Sequence, residues 1–442
     1  MKKMFFLVVG CLCFAALPYA CTGNNNNNET TTEKAPGEKV GGETTEEKGT
    51  GEGTNTEGTT EAVADAGPDS LPQETGPEVV FEPNPNVGKI RWTVDLPANI
   101  LSLALSSDEK TIYATSGPTL YALTAEDGTE EWKMSGIGQS LSAPVVDAEK
   151  NILVGSVDKS IYAIHPTLKR WAWKFTAQAP ADAFPPALGP EGTAFFVAGN
   201  TLYGIKKNTA LWATQYDMGD EATSGPAVAK DGTVYVCVKD KTLHAVDKDG
   251  KQKWKKSVGS EPCPAISIGA DGTIYAGGGM LHAFKPDGST VWSPQSQYGN
   301  VTTAIVIHGS SLYFGSFNGK LYKANVSDGK KSSGPNWDAG LSITISGSID
   351  YAPTIGASGI IYLGDSRPSL EAYSPFNGKV QWAVGTASRT PFTGHPIIAS
   401  DGTLYLGTEQ GTLFAVWTES PGPANSPWPR GQGNNQSTSL QP

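Results

Sequence analysis

A unit of about 40 residues recurs along most of the chain, and each copy carries one tryptophan near its end. Successive copies of this tryptophan are 40, 41, 39, 42, 38, 45 and 45 positions apart. Within a unit, short runs of β-branched and aromatic residues, such as TVYVC and TLYLG, alternate with polar turns such as DGT. Such runs favour short strands, and Asp-Gly pairs favour the hairpin turns between them. The eight tryptophans are Trp92, Trp132, Trp173, Trp212, Trp254, Trp292, Trp337 and Trp382.

Four short strands per unit and this period predict an all-β protein, an eight-bladed β-propeller whose blades are four-stranded antiparallel sheets. The last repeat supplies three strands before a Pro-rich tail, whereas KIRWTV at 89–94 resembles a fourth strand that lacks its first three. We expect the N-terminal strand near Trp92 to join the last blade and close the ring, which hides sheet edges. The alternative is closure by the tail around Trp428, which would leave Trp92 on an extra edge.

The formal net charge of −11 is concentrated before the repeats. Residues 22–80 contain thirteen acidic residues and three lysines, and few apolar ones. This composition cannot form a core that offsets the entropy of ordering, so we expect a disordered tether. The repeat region is close to neutral, and we expect no nucleic-acid partner.

The N-terminus has the pattern of an export signal. Lys2 and Lys3 precede an apolar run that ends in LPYAC. This end resembles the lipobox of bacterial lipoproteins, which implies a lipid on Cys21 and contact with a membrane through that lipid only. VVGC at Cys11 resembles the lipobox more closely but follows too short an apolar run. Ordinary secretion with cleavage near Ala20 is the alternative.

These features divide the chain into four parts. We expect a lipoprotein-type signal peptide over 1–20 and an acidic low-complexity tether over 21–85. The eight-bladed propeller follows over 86–418, and a Pro/Gly/Asn-rich tail over 419–442. The chain is then an exported, membrane-anchored lipoprotein, placed in the outer membrane with the propeller on its periplasmic or its surface face.

Small residues precede each tryptophan at regular distances. Ala122 and Gly128 precede Trp132, and an alanine and a glycine stand at the same distances before Trp382. At these positions the chain resembles the pyrroloquinoline quinone (PQQ)-like repeat family and its tryptophan-docking motif. The resemblance implies that all eight indoles stack between blades. Small residues suit this role because an indole of about 200 Å² needs a flat slot.

The resemblance implies more than one function. Quinoprotein dehydrogenases of this family hold PQQ and Ca²⁺ beside a pair of adjacent cysteines, which the chain lacks after residue 21. We therefore expect no cofactor, no metal and no catalytic residue. The chain also resembles the propeller lipoproteins of the outer-membrane β-barrel assembly machinery, which implies a monomeric, non-enzymatic scaffold for envelope protein partners. The alternatives are a divergent PQQ-dependent dehydrogenase and a propeller that binds a cell-surface glycan or polymer.

Candidate contact residues are positions at which the repeats differ. His395 is a lone histidine at the start of an innermost strand, where other copies have small or apolar residues. By family analogy this position rings one mouth of the central channel. Arg367 and Arg389 are candidate loop contacts, with solvated loop charge as the alternative. The channel-mouth candidates are Leu103, Ala143, Gly225, Thr303, Ala352 and His395.

Two cysteines lie within the repeats. Cys237 replaces the glycine that ends the second strand of most copies, and Cys263 precedes the proline that opens the next copy. Both positions lie toward the same face of adjacent units, so they could form a disulfide in an oxidising compartment or remain two buried thiols.

Overall fold

The computed structural model describes residues 84–212, 215–332, 341–342, 349–364, 368–386, 390–434 and 437–441, with only the backbone at 341–342. These residues form eight separate antiparallel sheets. The described part contains strands and one short 3₁₀ turn, Pro190–Gly192, and no α-helix. The predicted all-β, eight-bladed propeller is therefore confirmed.

Strand β1 is Ile90–Asp95. Blade 1 contains β2 (Ile100–Leu105), β3 (Thr111–Ser116), β4 (Thr119–Thr124) and β5 (Glu130–Met134). Blade 2 contains β6 (Val145–Val146), β7 (Ile152–Ser156), β8 (Ser160–His165) and β9 (Arg170–Thr176). Blade 3 contains β10 (Ala187–Leu188), β11 (Thr193–Ala198), β12 (Thr201–Lys206), β13 (Thr209–Ala210) and β14 (Tyr216–Asp217). Blade 4 contains β15 (Ala227–Val228), β16 (Val234–Val238), β17 (Thr242–Val246) and β18 (Gln252–Ser257).

The second half of the ring repeats this arrangement. Blade 5 contains β19 (Ile266–Ile268), β20 (Ile274–Ala276) and β21 (His282–Phe284). Blade 6 contains β22 (Val306–His308), β23 (Ser311–Gly315), β24 (Lys320–Asn325) and β25 (Leu341–Ser342). Blade 7 contains β26 (Thr354–Ile355), β27 (Ile361–Gly364), β28 (Ser369–Tyr373) and β29 (Val380–Gly385). Blade 8 contains β30 (Phe392–Ile398), β31 (Thr403–Thr408), β32 (Thr412–Trp417) and β1.

The ring closes between the two ends of the repeat region. β1 pairs antiparallel with β32, with Thr93 opposite Phe414. This confirms the predicted closure by the strand near Trp92. The alternative closure is wrong, because Trp428 forms a bridge to Ile307 in β22, on the inner side of blade 6.

Two blades depart from the regular pattern on their outer side. In blade 3, β13 and β14 both pair with β12 and share the place of one fourth strand. In blade 5 the described sheet has three strands, and the stretch around Trp292 contributes only isolated bridges. Pro294 follows Trp292 closely, and a proline has no N–H to donate to a ladder.

The hairpin turns follow from their sequence. At Asp231, the carboxylate accepts a hydrogen bond from the Thr233 N–H at 2.9 Å. Gly232 lies between them with φ +83°, a left-handed conformation that favours glycine. Asp271 and Asp401 accept the same bond from the threonine two residues later. The DGT motif is therefore the turn that joins the first and second strands.

An indole of one blade lies on a glycine of the next. A Cβ atom at Gly288 in blade 5 would lie 2.8 Å from the Trp254 ring of blade 4. The Trp254 Nε1–H also donates to the Pro286 carbonyl of blade 5 at 2.9 Å. Neighbouring blades thus share both an aromatic contact and a hydrogen bond. The other indole–glycine pairs are Trp92–Gly128, Trp212–Gly250, Trp292–Gly329 and Trp382–Gly88.

This packing predicts a difference between two glycines with the same backbone. Gly288 and Gly219 have φ of +82° and +83°, but a Cβ at Gly219 would have nothing within 4 Å. Both Gly→Ala substitutions carry a backbone cost of about 1–2 kcal/mol. We expect Gly288→Ala to lower the free energy of unfolding by about 1–3 kcal/mol more, because it overpacks the indole. Urea denaturation measures both; equal losses would contradict the contact.

Candidate functional site

The end of the chain fills the axis of the ring. We call residues 419–441 the C-terminal segment; 435 and 436 lie outside the description. On one side of the axis, the Ile307 N–H donates to the Trp428 carbonyl at 2.9 Å, and the Ile355 N–H donates to the Pro429 carbonyl at 3.0 Å. On another side, the Val228 N–H donates to the Ser439 carbonyl at 3.0 Å. The segment thus pairs with the inner strands of blades 6, 7 and 4.

Further contacts extend to other blades. The Leu188 N–H in blade 3 donates to the Thr438 carbonyl at 2.9 Å. The Ser437 hydroxyl donates to the Leu103 carbonyl in blade 1 at 2.9 Å. Gln441 Nε2 donates to the Gly269 carbonyl, at the end of the inner strand of blade 5, at 2.7 Å. The segment therefore connects blades that are distant around the ring.

Two large side chains anchor the C-terminal segment. Trp428 is 1% exposed and Arg430 is fully buried. The Arg430 guanidinium donates to the Asn434 carbonyl at 2.7 Å, to the Ser437 hydroxyl at 2.9 Å and to the His395 carbonyl at 3.3 Å. Burial lowers the pKa of Arg430 to about 9. The Arg430 guanidinium is thus stabilised by hydrogen bonds to neutral oxygens. It has no ion-pair partner in the described part of the chain.

Most of the predicted channel-mouth side chains are buried. Leu103, Ala143, Thr303 and Ala352 are buried, with at most 6% of each exposed. Gly225 and His395 are partly exposed and line a cavity of about 120 Å³ that the C-terminal segment also lines. Ligand contact by these six residues remains a prediction.

His395 is held by the strand beside it and by the segment. The Ala352 N–H donates to His395 Nδ1 at 3.1 Å, and the Ala352 carbonyl oxygen lies 3.4 Å from the same nitrogen. A Cβ at Gly431 would lie 2.5 Å from the imidazole, so a glycine is required at that position. Burial, reinforced by the Arg430 guanidinium, lowers the pKa of His395 to about 4. The histidine is therefore neutral at physiological pH.

Several predicted site residues cannot be placed. Cys21, Trp337, Arg367 and Arg389 lie outside the described residues. Their roles in lipid attachment, indole docking and loop contact remain predictions.

The two cysteines of the repeats are joined. Cys237 in β16 and Cys263 before β19 form a disulfide with their Cα atoms 5.8 Å apart, which is within the usual range. Both side chains are fully buried. The bond links blade 4 to blade 5, the blade whose described sheet has three strands.

The described residues contain no cluster of three or more histidine, cysteine, aspartate or glutamate side chains that could hold a metal ion. His244 instead contacts the Tyr216 hydroxyl at 2.9 Å, and His282 stacks on Phe284. Within the same residues, no helix has the length and apolar character needed to cross a membrane.

Three clefts lie side by side on one face of the ring. We call it the turn face, because it carries the turns between first and second strands and between third and fourth strands. The clefts between blades 8 and 1, blades 1 and 2, and blades 2 and 3 measure about 570, 420 and 360 Å³. Trp132 lines the second cleft and Trp173 the third.

The last two clefts coincide with a change in the repeat. The turns that follow Trp132 and Trp173 around the ring carry Lys169 and Lys207 where most copies have glycine. Both lysines keep a left-handed backbone, with φ of +50° and +55°, which is uncommon for a residue with a Cβ. These substitutions were visible in the sequence, and they mark the junctions at which an indole borders an open cleft.

Comparison with known sequences identifies a family. A family described as "Outer membrane protein assembly factor BamB" matches residues 78–205 and 198–416. A relative of that name from Yersinia pestis is 25% identical over 273 residues, which are 55% of this chain and 69% of the relative. The one from Escherichia coli K12 is 22% identical over 276 residues, 56% of this chain and 69% of the relative.

Solved structures show the same fold. BamB from Moraxella catarrhalis aligns with a TM-score of 0.56 at 16% identity, over 73% of this chain and 97% of that one. The computationally designed Ika8 protein aligns with a TM-score of 0.61 at 13% identity, over 75% of this chain and all of that one. Identities this low support the fold and nothing further.

The filled axis predicts that the tail is part of the folded ring. Truncation after Thr418 removes the buried Trp428 and its hydrogen bonds. We expect the free energy of unfolding to fall by at least about 3 kcal/mol, the lower end for loss of one buried tryptophan. Deletion of the equally long stretch 22–45 is the control and should leave stability unchanged. Equal melting temperatures for the truncated and complete chains would contradict the packing.

The pKa of His395 predicts a loss of stability in acid. The folded chain takes up this proton only near pH 4, whereas the unfolded chain takes it up near the ordinary value of 6.5. The free energy of unfolding therefore falls as pH drops between these values. His395→Gln should remove this part of the dependence, measured as urea midpoints at about pH 7 and about pH 5. An unchanged dependence would show that the histidine is not held neutral.

Proposed function

Because the chain belongs to the family described as outer membrane protein assembly factor BamB, we propose that it is a non-enzymatic scaffold that binds protein partners during assembly of outer-membrane proteins. The observation that carries this proposal is the family match, which spans the repeat region almost from end to end. The Yersinia and Escherichia relatives carry the same description. A rigid ring with two loop faces suits a scaffold.

The proposed working surface is the turn face. The axis is occupied by the C-terminal segment, so a partner has access to the two faces and the rim. The clefts at Trp132 and Trp173 offer indole walls beside polar turns. Buried aromatic anchors of this kind dominate many protein interfaces. We place the partner contact at these clefts.

The proposal includes export and anchoring. Lipid attachment at Cys21 would hold a monomeric propeller at the outer membrane by its N-terminus. About 60 residues of polar chain separate Cys21 from the ring, which gives a root-mean-square reach of roughly 40–50 Å. That reach would let the ring meet partners that project from the membrane.

Deletion of the gene in its own host tests the function. We expect lower amounts of outer-membrane β-barrel proteins, restored by the wild-type gene, because assembly loses a scaffold. Quantitative proteomics of isolated outer membranes measures the change. Unchanged barrel-protein levels would contradict the proposal.

Site-specific cross-linking tests the working surface. A photo-reactive amino acid at Ser107, which lines two of the clefts, should link to subunits of the assembly machinery in intact envelopes. Ser310, exposed in the equivalent turn of blade 6, is the matched control and should not. Links from Ser310 alone would move the contact to another part of the ring, and links from neither would argue against a turn-face partner.

A further inference from the structure

Charge is unevenly distributed around the ring. Residues 96–141, which contain blade 1, hold six acidic and two basic residues. Residues 142–176, which contain blade 2, hold three acidic and five basic residues. Residues 224–257, which contain blade 4, hold four acidic and eight basic residues. Blades 2 and 4 are therefore net basic, whereas residues 177–223 between them, which contain blade 3, hold five acidic and two basic residues.

The outer edge of blade 2 combines these cations with large apolar side chains. Leu168 in the turn is 55% exposed, and Trp171 in β9 is 47% exposed. Lys169 and Arg170 lie between them in the chain and are exposed. Neither has an ion-pair partner within the described ranges, whereas Lys174 pairs with Asp158 at 3.6 Å. The edge therefore presents two uncompensated charges flanked by a leucine and an indole.

Blade 3 is net acidic but adds one further cation and one apolar side chain to this set. Lys207 is exposed and has no ion-pair partner in the part of the chain that is described. Leu211 is 38% exposed on the outer side of the same blade. We call the set the basic rim; it comprises Leu168, Lys169, Arg170, Trp171, Lys207 and Leu211.

We propose that the basic rim is a contact surface for an anionic phospholipid membrane. Lysine and arginine are attracted to anionic headgroups, and tryptophan and leucine bury in the boundary between headgroups and acyl chains. Phe376, 85% exposed in blade 7, is more exposed than Trp171 but has a single cation, Lys379, within three residues. The rim is instead defined by two adjacent cations, Lys169 and Arg170, between two exposed apolar side chains.

A membrane fits this surface better than a protein partner does. Lys169 and Lys207 line two of the clefts, but Leu168, Arg170 and Trp171 do not. Leu168 and Trp171 are about half exposed, and Trp171 packs edge-on against Tyr162 with ring centroids 5.0 Å apart. A protein partner usually places its own anchor in a pocket. Here the anchors belong to this chain, and the partner must supply an anionic surface with an apolar layer below it. The contact would turn one side of the ring toward the membrane, in addition to any N-terminal lipid.

Vesicle sedimentation tests the proposal without any protein partner, so its failure would leave the proposed function standing. The probe is the chain from residue 21 with Cys21→Ser, mixed with vesicles of equal parts phosphatidylglycerol and phosphatidylcholine, or of phosphatidylcholine alone. We expect binding to the anionic vesicles only, and its loss in high salt. Lys169→Gln with Arg170→Gln should weaken binding roughly thirtyfold, since each cation near the surface contributes roughly fivefold. Trp171→Ala should weaken it about tenfold.

Matched control variants show whether vesicle binding depends on the basic rim or on any exposed charge or aromatic ring. Lys330→Gln with Lys331→Gln removes two neighbouring lysines from the equivalent turn of blade 6, and Phe376→Ala removes an exposed ring. Neither should weaken vesicle binding. Equal losses in the control and rim variants, or no preference for phosphatidylglycerol, would overturn the proposal. Retention of the chain by a poly-glutamate peptide through Lys169 and Arg170, without vesicle binding, would assign the rim to an acidic protein instead.

Discussion

The contact on which the ring depends is an indole lying on a glycine of the next blade. A blade cannot bury both of its faces alone, so each must pack on two neighbours. At the Trp254–Gly288 junction the indole fills the space that any Cβ would occupy, and its N–H satisfies a carbonyl of the neighbouring turn. The same chemistry at Trp92 and Gly128 joins the last blade to the first. Ring closure thus uses the same contact as every regular junction.

Residues that the copies share build the ring, so we expect functional residues at positions where the copies differ. Lys169 and Lys207 replace turn glycines at two adjacent junctions and keep a backbone that glycine would adopt more easily. Seven other non-glycine residues of the described part also have positive φ, so the distinguishing feature of these two lysines is that they replace the glycine on which an indole would lie. The same two blades carry the clefts beside Trp132 and Trp173 and the exposed Trp171. Blades 1 to 3 therefore carry the clefts and the exposed aromatic side chain on which both proposals depend.

The repeats themselves carry the information for the ring. The period near 40 gives the number of blades, and KIRWTV matches a fourth strand that lacks its first three, so blade count and closure could be predicted. The position of the C-terminal segment could not be predicted, because the segment has no strand periodicity and its partners are distant in sequence. Trp428 accepts a hydrogen bond from Ile307, and Ser437 donates one to Leu103. One signal was present, a tryptophan and an arginine within a polar tail.

Amide hydrogen exchange tests the central claim, that the chain's own C-terminus fills the axis and leaves recognition to the outer surfaces. The N–H groups of Ile307 and Ile355 lie on the inner edges of their blades and donate to carbonyls of the C-terminal segment. They should exchange as slowly as amides in the middle strands of the same blades, because opening them requires release of the segment. Exchange of both amides at the rate of an unprotected strand edge would show that the axis is open, and would contradict the account.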